Sequence, residues 1–357
     1  MSVAYLSPFW NHTNRLTEIH KTLLAANGYE VRPFSTRTIL SPAGLGLFAR
    51  DNVVLVSWME SRPFKKRGGR IGLDVFGLLH LVFYLVVLRM ARARVFYFVH
   101  DHALHDTEGR VRAFSSWVIR CLARTADVRV VHDPSYCERY DAVYLPHPLY
   151  WEYRPAANVA QGHEGTHAQR PVFKALGAIK PYKGLDRLLS AWPHGVRLEI
   201  KGRADEEHLS RLHRIIEQRG LQADVVIEPR FLSEDEFDVE VATTDVMLMP
   251  HVSESMLVSG AFFEAAGRVP AMLARRTPFM AWAATVMPGI ELFANDDELP
   301  GRVMSIAQRW TDRANAAAAR QAALDFFGRQ CCEAAYGALL REGYARHRAL
   351  AASPAAE

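Results

Sequence analysis

Val246-Met-Leu-Met-Pro250-His251-Val-Ser-Glu254-Ser-Met-Leu-Val-Ser259-Gly260-Ala-Phe-Phe-Glu264-Ala265 decides how the rest of the chain is read. Val246 to Met249 reads as a strand, and the residues from Gly260 onward read as a helix. Ser259 is placed as that helix's N-cap, and Gly260 lets a ligand approach the backbone, so free N–H groups and the positive helix end converge on one spot. This is the pattern of an anion site in a Rossmann-like domain, suited to a diphosphate. Glu264 lies one turn on with its side chain leaning back toward the N-terminus, where a carboxylate can accept both hydroxyls of a ribose. An ordinary capped helix is the plain alternative.

Leu176-Gly-Ala-Ile-Lys180-Pro-Tyr-Lys183-Gly184 strengthens the functional reading. It joins the strand Val172 to Leu176 to the helix Leu185 to Trp192, and a lysine beside a glycine at a helix start grips phosphate by point charge plus backbone donors. Around it the alternation continues: strand Arg197 to Lys201, helix Glu206 to Arg219, strand Val225 to Glu228, helix Asp235 to Thr243. The N-terminal half alternates in the same way. Strands are expected at Val3 to Leu6, Tyr29 to Pro33, Val53 to Trp58, Val95 to Val99, Val128 to Val131 and Ala142 to Leu145. Helices are expected at Arg15 to Ala26, Val75 to Met90 and near Ser115 to Ala123. Val53 to Trp58 is a continuous apolar run, as a strand covered on both faces requires. Residues 155–170, small and polar without apolar period, read as a linker.

The expected organisation is α/β, with two doubly wound Rossmann-like domains facing a central cleft. The first covers 1–154, the linker 155–170 and the second 171–332, with a helix at about 333–350 packing back on the first. A length of 357 residues fits two cores rather than one. Four cysteines, at 121, 137, 331 and 332, form neither a disulfide framework nor a zinc site and point to a reducing compartment. No basic segment followed by an apolar one opens the chain, so the cytoplasm is the expected location.

Residues 1–155 hold 20 Lys and Arg against 13 Asp and Glu, a net +7, while the remainder holds 23 against 26, a net −3. The basic half should meet something anionic. With no nucleic-acid motif and no aromatic interleaving, a membrane surface or a phosphorylated substrate fits better than DNA or RNA. Val75 to Leu88 is apolar apart from His80 and falls short of the roughly 20 residues that span a bilayer. Flanked by Lys65, Lys66, Arg67, Arg70, Arg89, Arg92 and Arg94, it reads either as a helix at an anionic membrane face or as a crossover helix buried on the sheet.

Gly177-Ala-Ile-Lys180-Pro-Tyr-Lys183-Gly184, Ile200-Lys-Gly202, Asp245-Val-Met-Leu-Met-Pro250 and Leu257-Val-Ser259-Gly260 together resemble the donor-domain motifs of GT-B glycosyltransferases of the broad family-4 type. In the first half, Asn11 to Val31 resembles the first loop and helix of bacterial members. Ser57-Trp58-Met59-Glu60 resembles their His-Trp-Pro-Glu segment, and Val99-His100-Asp101-His102-Ala-Leu-His105-Asp106 their Val-His-Asn-Leu-Leu-Pro-His-Glu segment. The resemblance implies that Lys183 and the Ser259 and Gly260 amides hold the diphosphate, Glu264 the ribose and His100 a sugar hydroxyl. The phosphate-binding arginine of the family is Ala178 here, with Lys180 the nearby substitute. The family's two glutamates separated by seven residues are absent: Glu254 and Glu264 are separated by nine, and Met256 falls where the first belongs.

That departure points toward inversion, which needs a group to take the acceptor's proton. Such a base belongs at the carboxyl end of a first-domain strand. Asp101 is the first choice, Glu60 the second and His12 the third. No metal or cofactor is expected beyond the nucleotide-sugar donor. The segment Leu257 to Glu264 most resembles bacterial exopolysaccharide mannosyltransferases of the xanthan type. This implies GDP-mannose as donor, a polyprenyl-diphosphate-linked oligosaccharide as acceptor and peripheral attachment to the inner face of the cell membrane. A retaining family-4 enzyme using a UDP-sugar is the alternative, followed by a sugar-nucleotide epimerase or a non-catalytic nucleotide-sugar binding protein.

Overall fold

The structure, a computed structural model, describes residues 1–10, 15–67, 70–104, 107–154, 171–252, 257–310 and 316–342. It divides into two compact units. The first is Met1–Tyr150 with Glu254–Val258 and Arg329–Glu357, and the second is Trp151–Ser253 with Ser259–Gly328.

In the first unit the chain runs β1 (Val3–Ser7), α1 (Leu16–Ala26), β2 (Glu30–Pro33), α2 (Thr36–Ile39), β3 (Val53–Ser57), the hairpin β4 (Phe64–Arg67) and β5 (Arg70–Leu73), and α3 (Val75–Met90). It continues through β6 (Arg94–Phe98), α4 (Gly109–Thr125), β7 (Val128–Val131), α5 (Cys137–Tyr140) and β8 (Val143–Tyr144). Six strands form one parallel sheet in the order β2-β1-β3-β6-β7-β8. β1, β3 and β6 are nearly continuous apolar runs because both faces of the sheet are covered. α1 presents Leu16, Ile19, Leu23 and Leu24 inward at helical spacing.

The second unit contains β9 (Phe173–Leu176), α6 (Leu185–Ala191), β10 (Leu198–Lys201), α7 (Glu206–Arg219), β11 (Val225–Glu228), α8 (Glu234–Ala242) and β12 (Val246–Met249). It goes on with α9 (Gly260–Ala265), β13 (Ala271–Arg275), α10 (Pro278–Val286), β14 (Ile290–Phe293), α11 (Leu299–Arg309) and α12 (Ala316–Phe327). Its sheet is also parallel and six-stranded, in the order β11-β10-β9-β12-β13-β14. Local chemistry sets the helix starts: Asp205 caps α7, and Ser233 with Glu236 forms a capping box on α8. α13 (Arg329–Glu342) returns to the first unit, where Cys332 and Tyr336 are buried and Tyr336 packs on Phe98 and His20.

The change of unit falls after Tyr150, four residues before the limit read at 154. Trp151 and Arg154 are tied into the second unit. The Trp151 indole donates to the Ala266 carbonyl at 3.0 Å, and Arg154 forms ion pairs with Asp238 and Glu264. The proposed linker 155–170 lies outside the described residues, as does the helix expected at 333–350 beyond residue 342. The hairpin β4–β5 and the strands β13 and β14 are additions to the sequence reading.

Candidate functional site

Each sheet has one topological switch point, where the chain leaves a strand in opposite directions, and loops at the carboxyl ends of such strands form crevices. In the first sheet this is between β1 and β3, and in the second between β9 and β12.

At the second switch point Gly177 follows β9, and Pro250 and His251 follow β12. Gly202, after β10, packs so closely that a Cβ there would lie 2.0 Å from the Gly177 carbonyl oxygen. Gly184 has φ +68°, and a Cβ there would meet Val252 at 2.6 Å, so the turn carrying Lys183 admits only glycine after it. Lys183 is thereby directed into a small recess lined by Leu176, Gly177, Met249, Pro250, His251 and Ala261. Its Nζ donates to the Leu176 carbonyl at 3.2 Å, and burial lowers its ammonium to about 8. Among the described residues no carboxylate pairs with it.

The other expected donor residues are placed differently. Lys180 pairs with Asp205 at 3.0 Å and does not line the recess. Ser259 stands at the N-cap position of α9, but its side chain makes no capping bond, and Oγ lies 3.4 Å from His251 Nε2. Gly260 is the first residue of α9, a helix of only six residues, so the weight of an anion site passes to Lys183. Glu264 receives two hydrogen bonds from Arg154 Nη2, at 2.7 and 2.8 Å, and its side chain is 16% exposed. Arg154 also meets Asp238, which pairs with Arg268 at 2.7 Å. This Arg154–Asp238–Arg268–Glu264 cluster holds the Glu264 carboxylate in place, and sequence reading missed it. Arg154 lies 84 positions from Asp238 and 110 from Glu264, beyond the reach of any local pattern. Glu254 and His12 lie outside the described residues.

At the first switch point, Trp58 follows β3 in the left-handed region at φ +51°, a strained conformation for a bulky residue. The strain places its indole on the His100 ring, with centroids 4.2 Å apart and planes 12° from parallel. His100 is buried, its Nε2 has no hydrogen-bond partner among the described residues, and burial, then His132 and His20, holds its imidazole well below the usual range. It is a neutral ring with one polar atom unspent.

Glu60 sits two residues past Trp58, buried, and accepts a hydrogen bond from the Tyr97 hydroxyl at 3.0 Å. Burial, then the charge of Glu60 and that of Asp101, keep the Tyr97 phenol protonated well above its normal range. Asp101 follows the carboxyl end of β6 and is half-buried. His102 beside it has Nδ1 against the Tyr140 hydroxyl and is lowered to about 4, chiefly by burial. The structure therefore gathers Glu60, Tyr97, His100 and Asp101 into one region, with Glu60 the more enclosed of the two carboxylates. Tyr97 escaped the sequence reading because it looks like any core residue of an apolar strand. Among the described residues no group of three or more His, Cys, Asp or Glu is arranged to hold a metal ion.

No family model matches this chain, and no curated protein matches it. Solved structures do. HepE from Anabaena in complex with UDP superposes over 94% of this chain and 99% of its own, with 14% identity and a TM-score of 0.58. Sucrose-phosphate synthase from Thermosynechococcus elongatus covers 97% of this chain and 100% of its own, with 14% identity and a TM-score of 0.62. A UDP-forming α,α-trehalose-phosphate synthase from Burkholderia vietnamiensis covers 98% and 100%, with 10% identity and a TM-score of 0.57. With two parallel six-stranded sheets covered by helices, each wound from its own switch point, the chain has the GT-B fold.

Proposed function

We propose that the chain is a metal-independent glycosyltransferase that moves a sugar from a nucleotide-diphosphate donor to a hydroxyl of an acceptor with inversion. The observation that carries this reading is Lys183, a half-buried lysine whose ammonium is desolvated at the β9/β12 switch point, without a carboxylate partner among the described residues. A diphosphate supplies the missing anion. In the first unit Asp101, half-buried near the Tyr97–Glu60 pair, takes the proton from the acceptor hydroxyl. The acceptor oxygen then bonds to the anomeric carbon as the bond from that carbon to the diphosphate breaks. The ammonium of Lys183 neutralises the charge gathering on the leaving group. His100, neutral and with Nε2 unspent, hydrogen-bonds a sugar hydroxyl.

The sequence resemblance favours GDP-mannose. HepE has been solved with UDP and with UDP-glucose, which supports a uridine donor, and this is the reading we adopt. For the acceptor, the net +7 of residues 1–155 suits a polyprenyl-diphosphate-linked oligosaccharide. A thermal-shift panel of UDP- and GDP-sugars separates the donors, because a ligand of the folded state raises apparent stability. Stabilisation by GDP-mannose alone overturns the uridine choice.

Asp101→Asn tests the chemistry. Turnover should fall by roughly 10²- to 10⁴-fold while donor binding survives. Near-normal turnover in Asp101→Asn, with loss in Glu60→Gln or His12→Ala, moves the base to one of those residues. The anomeric configuration of the product, read by NMR, tests inversion directly.

A further inference from the structure

α3 departs from the rule that a surface helix is apolar on one side and polar on the other. Its inner face, Leu81, Tyr84 and Leu88, is buried in the first core. Its outer face is apolar too. Val75, Phe76, Leu79, Val82, Val86 and Met90 are all exposed, Phe76 at 82%, and they recur at helical spacing along the full sixteen residues. Arg89 in the last turn is the helix's one Lys, Arg, Asp or Glu. A helix apolar all round belongs in a core or in lipid. At about 1.5 Å per residue it is too short to cross a bilayer, and no helix among the described residues is long and apolar enough to do so.

Both ends of α3 are extended by neighbours of the same character. The amides of Arg92 and Ala93 donate to the Leu47 carbonyl, which holds the turn Pro42–Phe48 at the helix's C-terminal end and leaves Leu45 and Phe48 exposed. At the other end the hairpin β4–β5 leads into the helix, with Leu73 exposed. A Cβ on Gly77 would lie 2.1 Å from the Arg62 carbonyl oxygen, so the hairpin's base is seated on the first turn. Along this surface Arg37, Arg50, Lys65, Lys66, Arg89 and Arg92 are exposed, and none pairs with a carboxylate among the described residues. Asp74 is spent capping α3, where it accepts from the Gly77 amide at 2.9 Å.

We propose that this face of the first unit docks on an anionic lipid bilayer, with the outer stripe of α3 lying in the headgroup boundary and the basic side chains on lipid phosphates. Charge decides against a second copy as occupant, since a two-fold contact would bring the same lysines and arginines together. The inference stands apart from the transferase reading, because docking is measured without donor or acceptor.

The full chain is floated with phosphatidylcholine vesicles and with phosphatidylcholine vesicles containing phosphatidylglycerol, at low and high salt. Binding should favour the anionic vesicles and weaken with salt, because exposed charges are screened. The triple variant Phe76→Ser/Leu79→Ser/Val86→Ser and the pair Lys65→Ala/Lys66→Ala should each reduce partition by roughly tenfold or more. All these side chains are exposed, so an unchanged thermal melt accompanies the loss. Absence of flotation, or equal partition onto neutral and anionic vesicles at every salt, overturns the proposal. So does a dimer in solution, seen by light scattering, that the triple serine variant converts to monomer.

Discussion

The two units differ in the polar side chains that dominate their interiors. The first buries neutral rings: His20, His100, His132 and His147 are 1, 7, 1 and 3% exposed, and the last three touch through His100–His132 and His132–His147 ring contacts. The second buries compensated charges. Lys174 meets Glu240 at 2.7 Å, Lys201 meets Glu240 at 2.8 Å and Glu199 at 3.3 Å, and the Arg154 cluster is a second such group. Burial alone would raise Glu199 and Glu240, but hydrogen bonds and charge from Arg197, Lys174 and Lys201 outweigh it and hold both carboxyls below their usual range. A neutral polar core is lost when protons are added. A compensated ionic core is lost when one partner is removed.

The largest effect that tests this contrast is acid. Burial lowers His20 to about 3 and His132 to about 4, and holds His100 and His147 well below the usual range. An unfolded histidine titrates near ~6.5. Between those values the unfolded chain binds protons that the folded unit does not. Stability from these groups is complete above about pH 6.5 and falls as pH drops toward the folded values, by about 1.4 kcal/mol per pH unit for each ring. For His20 and His132 the folded values leave room for a contribution on the order of 3 kcal/mol each, a substantial part of the net stability of a domain, about 5–15 kcal/mol. Pulse-labelling hydrogen exchange should show β1, β6 and β7 losing protection on acidification while β9, β10 and β12 keep theirs. Simultaneous loss in both units would break the comparison.

Removing a partner is the matching test for the second unit. Arg154→Met leaves Asp238 and Glu264 without the cation they share, and breaking a buried ion pair costs about 3–5 kcal/mol. Arg268 remains beside Asp238, which favours the lower end. Urea unfolding at neutral pH should show an earlier transition for the second unit and none for the first. A change below about 1 kcal/mol would mean that the stranded carboxylates reach water.

What the sequence disclosed follows the same division. Strands covered on both faces announce themselves as apolar runs, so β3 and β12 were legible, and helices with a cap or a long period, such as α7, were read to the residue. β13, Ala-Met-Leu-Ala-Arg, and β14, Ile-Glu-Leu-Phe, were not, because such short segments among alanine-rich helices owe their conformation to the neighbouring strand. Asp101 and Lys183 stand out in the sequence because each lies in the loop beyond the carboxyl end of a strand, β6 and β9. The Tyr97–Glu60 bond, the contacts among His100, His132 and His147, and the pairing of Arg154 with Asp238 and Glu264 are hidden in the sequence because those partners are distant along it. Only the folded sheet brings them together.

The smallest effect concerns the exception within the second unit. Lys183 is a cation without a buried anion, and burial lowers its ammonium to about 8 while Lys174 and Lys201 keep carboxylates within 4.0 Å. If a donor diphosphate completes the pair, binding favours the protonated form and raises that value. Affinity should be highest below about pH 8 and weaken as pH rises through it, by at most about 1.4 kcal/mol per pH unit. Near pH 8 binding should also draw a fraction of a proton from solution. Calorimetry with UDP-glucose in two buffers of different ionisation enthalpy measures that uptake, and a diphosphate esterified at both ends does not itself titrate there. Lys183→Gln should abolish both the uptake and the pH dependence and weaken binding by about 1.5–3 kcal/mol, the scale of hydrogen bonds to a charged group. Uptake that persists in Lys183→Gln would assign the proton to another group, and the second unit would then follow its rule of paired charges without exception.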